Sequence, residues 1–142
     1  MLAPEQWQET DWRAVAQVFQ EHRERSLAAG LPLARLCEPE EGLASIRSGI
    51  VQAVIADGYL IVYDIGETWH STSRFLFEEM VLRLPGRPGS LARVPRVLDG
   101  LAREHGCDAI VAGNGIGRAG MSAVYGRAGF QPAAVRFIKE MN

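Results

Sequence analysis

The 142 residues fit a single domain, and an apolar share of 47% is enough for a real core, which argues against wholesale disorder. A formal net charge of -2, from 15 basic and 17 acidic side chains, gives no general drive toward nucleic acid or anionic lipid, so any anion site has to be local. Cys37 and Cys107 lie far apart in no CxxC or Cys/His cluster, the N-terminus lacks the pattern of a signal peptide, and no apolar run approaches the roughly 18 residues of a membrane span; the expectation is a cytosolic domain without disulfide or zinc.

In chain order, "TDWRAVAQVFQEHRERSLAAG" predicts a first helix. Thr10 or Asp11 caps it, Trp12, Val15, Ala16 and Phe19 recur at helical spacing, and Gly30 with Pro32 stops it. "EPEEGLASIRSGI" predicts a shorter second helix, with Pro39 near its first turn and Leu43, Ile46 and Ile50 on one side. The period then changes. "VQAVIA" and "YLIVYDIG" are β-rich runs around Asp57-Gly58, a hairpin signal because both turn positions favour positive φ. A polar loop, "ETWHSTS", precedes "RFLFEEMVLRL", whose bulky residues on both faces predict a central strand covered on both sides. In "PGRPGSLARVPRVLDGLAREHG", Pro95 belongs near a helix start, which places that start at Arg93 to Pro95 and the end at Gly106.

"DAIVAGN" then predicts a buried strand, "GIGRAG" a glycine-rich loop, "MSAVYGRAG" a helix and "AAVRFIKEM" a last strand. The order α-α-β-β-β-α-β-α-β, without repeat or linker, predicts one α/β (α+β) domain over 1–142, built on a mixed sheet with helices on both faces. "APEQWQET" gives weak support for a further strand before residue 10.

From about Val51 to Met141 the chain resembles the GNAT superfamily of acyl-CoA-dependent N-acyltransferases. "AVYGRAGFQPAAVRFIKEM" is similar to the family's A-x-L-Y-x-x-x-G-F signature, with Tyr125, Gly129 and Phe130 at the defining positions. "FEEMVLRL" is similar to the central strand that runs into the CoA-binding loop, and the hairpin falls where the family has one. Short acetyltransferase-like proteins of tailed phages look most similar. The resemblance implies a mostly antiparallel GNAT-like sheet and acetyl-CoA as cosubstrate. It also implies direct attack by a primary amine, with no covalent enzyme intermediate. Tyr125 would protonate the CoA thiolate, and backbone N–H groups near Val81 and Leu82 would polarise the thioester carbonyl.

Each candidate residue also has a plainer reading. An unperturbed phenol titrates near pH ~10, so Tyr125 is able to donate at neutral pH; alternatively it is a half-buried aromatic bonded to water or a carbonyl. Arg83, Gly86, Arg87, Gly89, Ser90 and Arg93 form the expected phosphate loop, since phosphates need backbone N–H groups at a helix start and nearby cations. The family form [RQ]-x-x-G-x-[GA] is met at Arg83 and Gly86, but Pro88 takes the last position, and Pro85, Pro88 and Pro95 remove donors. The plainer reading is a solvated basic loop.

Of Glu78 and Glu79 on the central strand, one should point into the cleft, and Glu79 is the expected base because alternation puts it on the face of Phe77 and Val81; otherwise a carboxylate here pairs with Arg83 or Arg74. Gly115-x-Gly117-x-x-Gly120 matches a dinucleotide fingerprint, but only 22 residues follow, too few for the rest of such a half-domain. The family's Asn, the expected pantetheine contact, usually lies seven residues before the Tyr. Asn114 lies eleven before Tyr125, so the loop reads as lengthened by about four residues. His70, beside Trp69 in the loop before the central strand, is a further candidate base; a loop histidine is more often simply solvated.

Two functional classes follow. One is an acetyltransferase whose partners are acetyl-CoA and an unidentified primary amine, with no nucleic acid and no membrane. The other is a binding or assembly module with the same fold and no chemistry, which the irregular loop favours. A homodimer is allowed in either case, through pairing of the weakly specified first strand.

Overall fold

The computed structural model describes residues 1–115 and 117–141; Ile116 of the glycine-rich loop lies outside the described residues. Four strands form one sheet in the order β1-β2-β3-β4. β1 (Gln52–Ala56) and β2 (Tyr59–Gly66) are antiparallel, and Ala56 faces Tyr59 across the turn. Asp57 (φ 50°) and Gly58 (φ 80°) both take positive φ, so the Asp-Gly pair does what its chemistry dictates. β3 (Phe75–Arg83) is antiparallel to β2, and β4 (Ala109–Val111) is parallel to β3.

Four helices cover the two faces: α1 (Glu9–Ala28), α2 (Pro39–Arg47), α3 (Val94–Glu104) and α4 (Ala119–Arg127). Val15, Val18 and Phe19 of α1 and Ile46 of α2 pack on Leu60, Val62 and Leu82. Val94, Leu98 and Leu101 of α3, with Met121 and Tyr125 of α4, pack on Ile61, Tyr63, Leu76 and Val81. Strand alternation thus sends successive residues of β2 into two separate cores, as expected for a sheet covered on both sides.

One irregularity in β3 positions the site. Tyr63 is opposite Glu78 and Val62 is opposite Met80, so Glu79 is an extra residue, a β-bulge. The bulge resets the alternation. Leu76, Glu78 and Val81 all lie on the α3–α4 face, because their partners Ile65, Tyr63 and Ile61 do. The expected grouping of Glu79 with Phe77 and Val81 assumed an unbroken strand and does not hold.

Three further expectations are corrected. Helix α1 begins at Glu9 with Gln8 as its cap, so neither Thr10 nor Asp11 is the cap residue; Asp11, inside the first turn, accepts the Gln8 N–H through Oδ2 at 2.8 Å. The segment "AAVRFIKEM" pairs with no strand among the described residues. Val135, Phe137 and Met141 are instead 80%, 93% and 78% exposed, and the segment is held where Glu140 accepts from the Leu33 N–H (2.8 Å) and Arg35 Nε (2.7 Å). Consequently β4 is not buried: its outer edge has no neighbouring strand among the described residues, and Val111 is 40% exposed. Before residue 10 the only β pairing among the described residues is a single bridge, Leu2 to Ile55, with both bonds at 2.9 Å.

Candidate active site

Pairing between β3 and β4 stops at Phe77 and Val111. Beyond it the strands part, and the side chain of Glu78 spans the gap: its Oε2 accepts the Gly113 N–H at 3.2 Å and the Tyr125 hydroxyl at 2.9 Å. Burial pushes the Glu78 carboxyl above the usual carboxylate range, although those two hydrogen bonds oppose the shift. Tyr125 is only 7% exposed. Burial first, and then the charge and hydrogen bond of Glu78, raise its phenol well above the ordinary value.

The placement of Tyr125 follows from local chemistry at the end of α4. Gly129 takes φ 92°, the Phe130 N–H donates to the Tyr125 carbonyl at 3.0 Å, and the Gly129 N–H donates to Gly126 at 3.2 Å. This is a Schellman motif, in which the glycine supplies the left-handed residue and an apolar side chain packs back on the helix. Here that side chain is Phe130, whose ring centre lies 4.9 Å from that of Tyr125. The Y-x-x-x-G-F pattern is therefore a helix stop that also fixes the tyrosine ring.

Glu79, the carboxylate expected from alternation, is exposed on the bulge, and Glu78 takes the place beside Tyr125. Leu84 donates to the Gly58 carbonyl at 2.8 Å, and antiparallel alternation then turns the Leu82 N–H toward β2. Of Val81 and Leu82, it is Val81 that presents backbone to the gap, where its carbonyl accepts from Arg118 Nη2 at 3.0 Å.

Arg118 is the residue that sequence reasoning missed. It stands seven positions before Tyr125, where the family pattern has its Asn, so that spacing was the available signal. Asn114 is bonded within its own loop and to α4. Its Oδ1 accepts the Arg118 N–H at 2.9 Å, and its Nδ2 donates to the Arg118 carbonyl and to Ser122 Oγ. It therefore shapes the loop and holds the Arg118 backbone in place.

The expected phosphate loop follows β3. Arg83 donates to the carbonyls of Gly89 (3.1 Å) and Arg87 (2.6 Å) and lies over the Tyr59 ring. Arg87 pairs with the buried Asp11 at 2.7 Å, and Arg93 pairs with Asp57 at 3.3 Å. The Gln8 N–H, and then Arg87, hold the Asp11 carboxyl below its usual value. Arg83, Arg87 and Arg93 thus stitch the loop to the body, whereas Arg96, on the first turn of α3, has neither an ion pair nor a side-chain hydrogen bond among the described residues. Ser90 Oγ accepts from the Ala92 N–H at the turn that leads into α3.

The loop nevertheless offers donors. The N–H groups of Gly86, Arg87, Gly89 and Ser90 have no acceptor among the described residues, which suits phosphate oxygens at a helix start. These unpaired donors suit the phosphates of a nucleotide-bearing ligand such as acetyl-CoA, whereas the Val81 carbonyl on the β3 edge is occupied by Arg118. A groove of about 460 Å³ between α3, β4 and the end of α4 lies elsewhere; Glu78, Tyr125 and Arg118 are not among its lining residues. Trp69 is 95% exposed in the loop before β3, with His70 beside it.

Neither a protein-family model nor a curated protein sequence matches the chain. Solved structures do. A probable acetyltransferase superposes with a TM-score of 0.63 at 14% identity, covering 96% of this chain and 95% of its own. A predicted acetyltransferase from Clostridium acetobutylicum, solved with acetyl-CoA, gives 0.52 at 17% identity over 93% and 92% of the two chains. The aminoglycoside N-acetyltransferase AAC(6')-Iy, in complex with CoA, gives 0.53 at 15% identity over 87% and 92%. The chain has the mixed α+β fold of GNAT-type acetyltransferases, and at these identities the likeness establishes the fold alone. Among the described residues, no helix is long and apolar enough to cross a membrane.

Proposed function

We propose that the protein is a cytosolic N-acetyltransferase that moves the acetyl group of acetyl-CoA to a primary amine, with Glu78 as base and Tyr125 as acid. The observation that carries this reading is the 2.9 Å bond from Tyr125 to Glu78 at the point where β3 and β4 part. It joins a carboxylate of raised proton affinity to a phenol in a largely buried setting, the pairing that acid–base transfer requires.

The thioester supplies an acyl carbon open to attack and a sulfur that leaves. As the N–C bond forms and the C–S bond breaks, Glu78 takes the proton lost by the amine. Tyr125 gives its proton to the sulfur and recovers one from Glu78 along their shared hydrogen bond. The balance closes with both residues unchanged. The coupling also answers an objection: a phenol of raised pKa is a poor acid on its own. Part of that rise comes from the charge of Glu78, and that part disappears when Glu78 is protonated. The Val81 backbone edge would orient the thioester, and the free N–H groups from Gly86 to Ser90 would hold the phosphates.

Removing the acid tests the assignment. In Tyr125→Phe, release of CoA thiol in the presence of acetyl-CoA and amine should fall about 10²-fold in kcat, with the KM for acetyl-CoA little changed. An unchanged kcat would remove Tyr125 from the chemistry.

A non-catalytic module is the second reading, and the engagement of Arg83, Arg87 and Arg93 within the protein favours it. Under either reading a second copy is a proposed partner. Among the described residues, a strand-patterned tail has no edge to pair with and β4 has an edge without a neighbour.

A further inference from the structure

Arg118 places a cation between the parting strands, near Glu78 but bonded to no carboxylate among the described residues. The guanidinium is in none of the ion pairs among the described residues. Its Nη2 donates to the Val81 carbonyl at 3.0 Å, while its Nε is buried and has no hydrogen-bond partner among the described residues. Glu78 faces the same gap, but its Oε2 already accepts from Gly113 and Tyr125. A buried N–H left unpaired is costly, and a guanidinium donates from Nε and Nη2 as a side-on fork that matches the two oxygens of a carboxylate. The fork of Arg118 is half filled by a neutral carbonyl and half empty.

We propose that Arg118 is the recognition residue for a carboxylate carried by the ligand of this site. The carboxylate would fill Nε and draw Nη2 from the Val81 carbonyl. That exchange frees the backbone edge of β3 at the same moment. The carboxylate belongs either to the acyl group, as in the thioester of a dicarboxylic acid, or to the amine, as in an amino acid. Which reactant carries it rests on the transferase reading above; the carboxylate site itself does not.

Asn114 supports the assignment, because two hydrogen bonds to the Arg118 backbone hold the base of this side chain in place. Arg118 is a specificity residue in this account, and proton transfer stays with Glu78 and Tyr125.

Succinate is the probe, with succinamide as its uncharged counterpart, and ¹⁵N-labelled protein gives the readout. The Arg118 Nε–H resonance is identified by its loss in Arg118→Lys, which keeps the charge and removes the fork. Succinate should move that resonance saturably, and succinamide should not. In Arg118→Gln and Arg118→Lys the backbone N–H signals of Gly113 and Val81 report binding, weakened roughly tenfold or more. Circular dichroism confirms that each variant is folded, and either variant alone suffices. An unmoved Nε–H, or equal succinate binding in a folded variant, overturns the proposal.

Succinyl-CoA with a neutral amine, and acetyl-CoA with an amino acid, then separate the two sources: the pair whose kcat/KM falls in Arg118→Lys carries the carboxylate. If succinate binds through Arg118 and no acyl-CoA binds, the transferase reading fails and the carboxylate site stands. If acetyl transfer proceeds with no preference for a carboxylate on either reactant, the carboxylate site fails and the transferase reading stands.

Discussion

Glu78→Gln should abolish most of the turnover and, at neutral pH, make the protein harder to melt. Loss of a general base lowers kcat by about 10²–10⁴-fold, while binding of acetyl-CoA, which uses backbone groups elsewhere, should change little. The stability effect follows from linkage. Burial raises the Glu78 carboxyl above its unfolded value, so the folded state holds this proton more tightly than the unfolded chain does. Its contribution is fully present below the unfolded carboxylate range, near pH ~4.3, and is lost as pH rises through the folded value. At neutral and alkaline pH the charged carboxylate therefore burdens the fold, and a neutral amide relieves it while still accepting from Tyr125 and Gly113. Thermal melts of the two proteins should diverge above the raised value and converge toward pH ~4. A gap that widens in acid, or a variant that keeps full turnover, would remove Glu78 from the assigned role.

Gly89→Ala should cost more stability than any other exchange of a loop glycine. A Cβ at Gly89 would lie 1.6 Å from the Asp57 carbonyl oxygen and 2.0 Å from its carbon, and the residue has φ 150°. Neither backbone can yield without separating the phosphate loop from the β1–β2 hairpin. That separation would break the Arg83 bonds to the loop carbonyls and the Arg93–Asp57 pair. The expected loss is roughly 3 kcal/mol or more, together with weakened acetyl-CoA binding. Gly86→Ala is the comparison, since Gly86 has φ 75° and nothing within 4 Å of an added Cβ. It should cost only the left-handed backbone penalty, about 1–2 kcal/mol. Equal denaturation midpoints for the two variants would mean that the loop does not seat on the hairpin as described.

What could be read from the sequence was what sequence-local chemistry decides. The Asp57-Gly58 hairpin and the Tyr125–Gly129–Phe130 helix stop each depend on residues within a few positions of one another, and both form as expected. That Glu78 rather than Glu79 would lie beside Tyr125 was not legible, because a bulge is defined by the partner strand. Only the register of Tyr63 and Val62 shows that Glu79 is the extra residue. The charge of the arginine loop was visible, but its neutralisation was not, since Asp11 lies 76 residues from Arg87 and Asp57 lies 36 from Arg93. Arg118 escaped notice because an asparagine in the same loop matched the family pattern by residue type, while the arginine matched it by position. "AAVRFIKEM" has the alternation of a strand, yet alternation states a preference for an edge and does not supply one.

In the proposed transferase, the parting of β3 and β4 receives the thioester arm of acetyl-CoA while the N–H groups of Gly86, Arg87, Gly89 and Ser90 receive its phosphates. Calorimetric titration of acetyl-CoA into the protein tests it most directly. A saturable one-to-one heat with a dissociation constant below about 1 mM, accompanied by a raised melting temperature, is the predicted result. No heat at millimolar ligand with an unchanged melting temperature would contradict it, and would leave a protein that keeps the fold without the reaction.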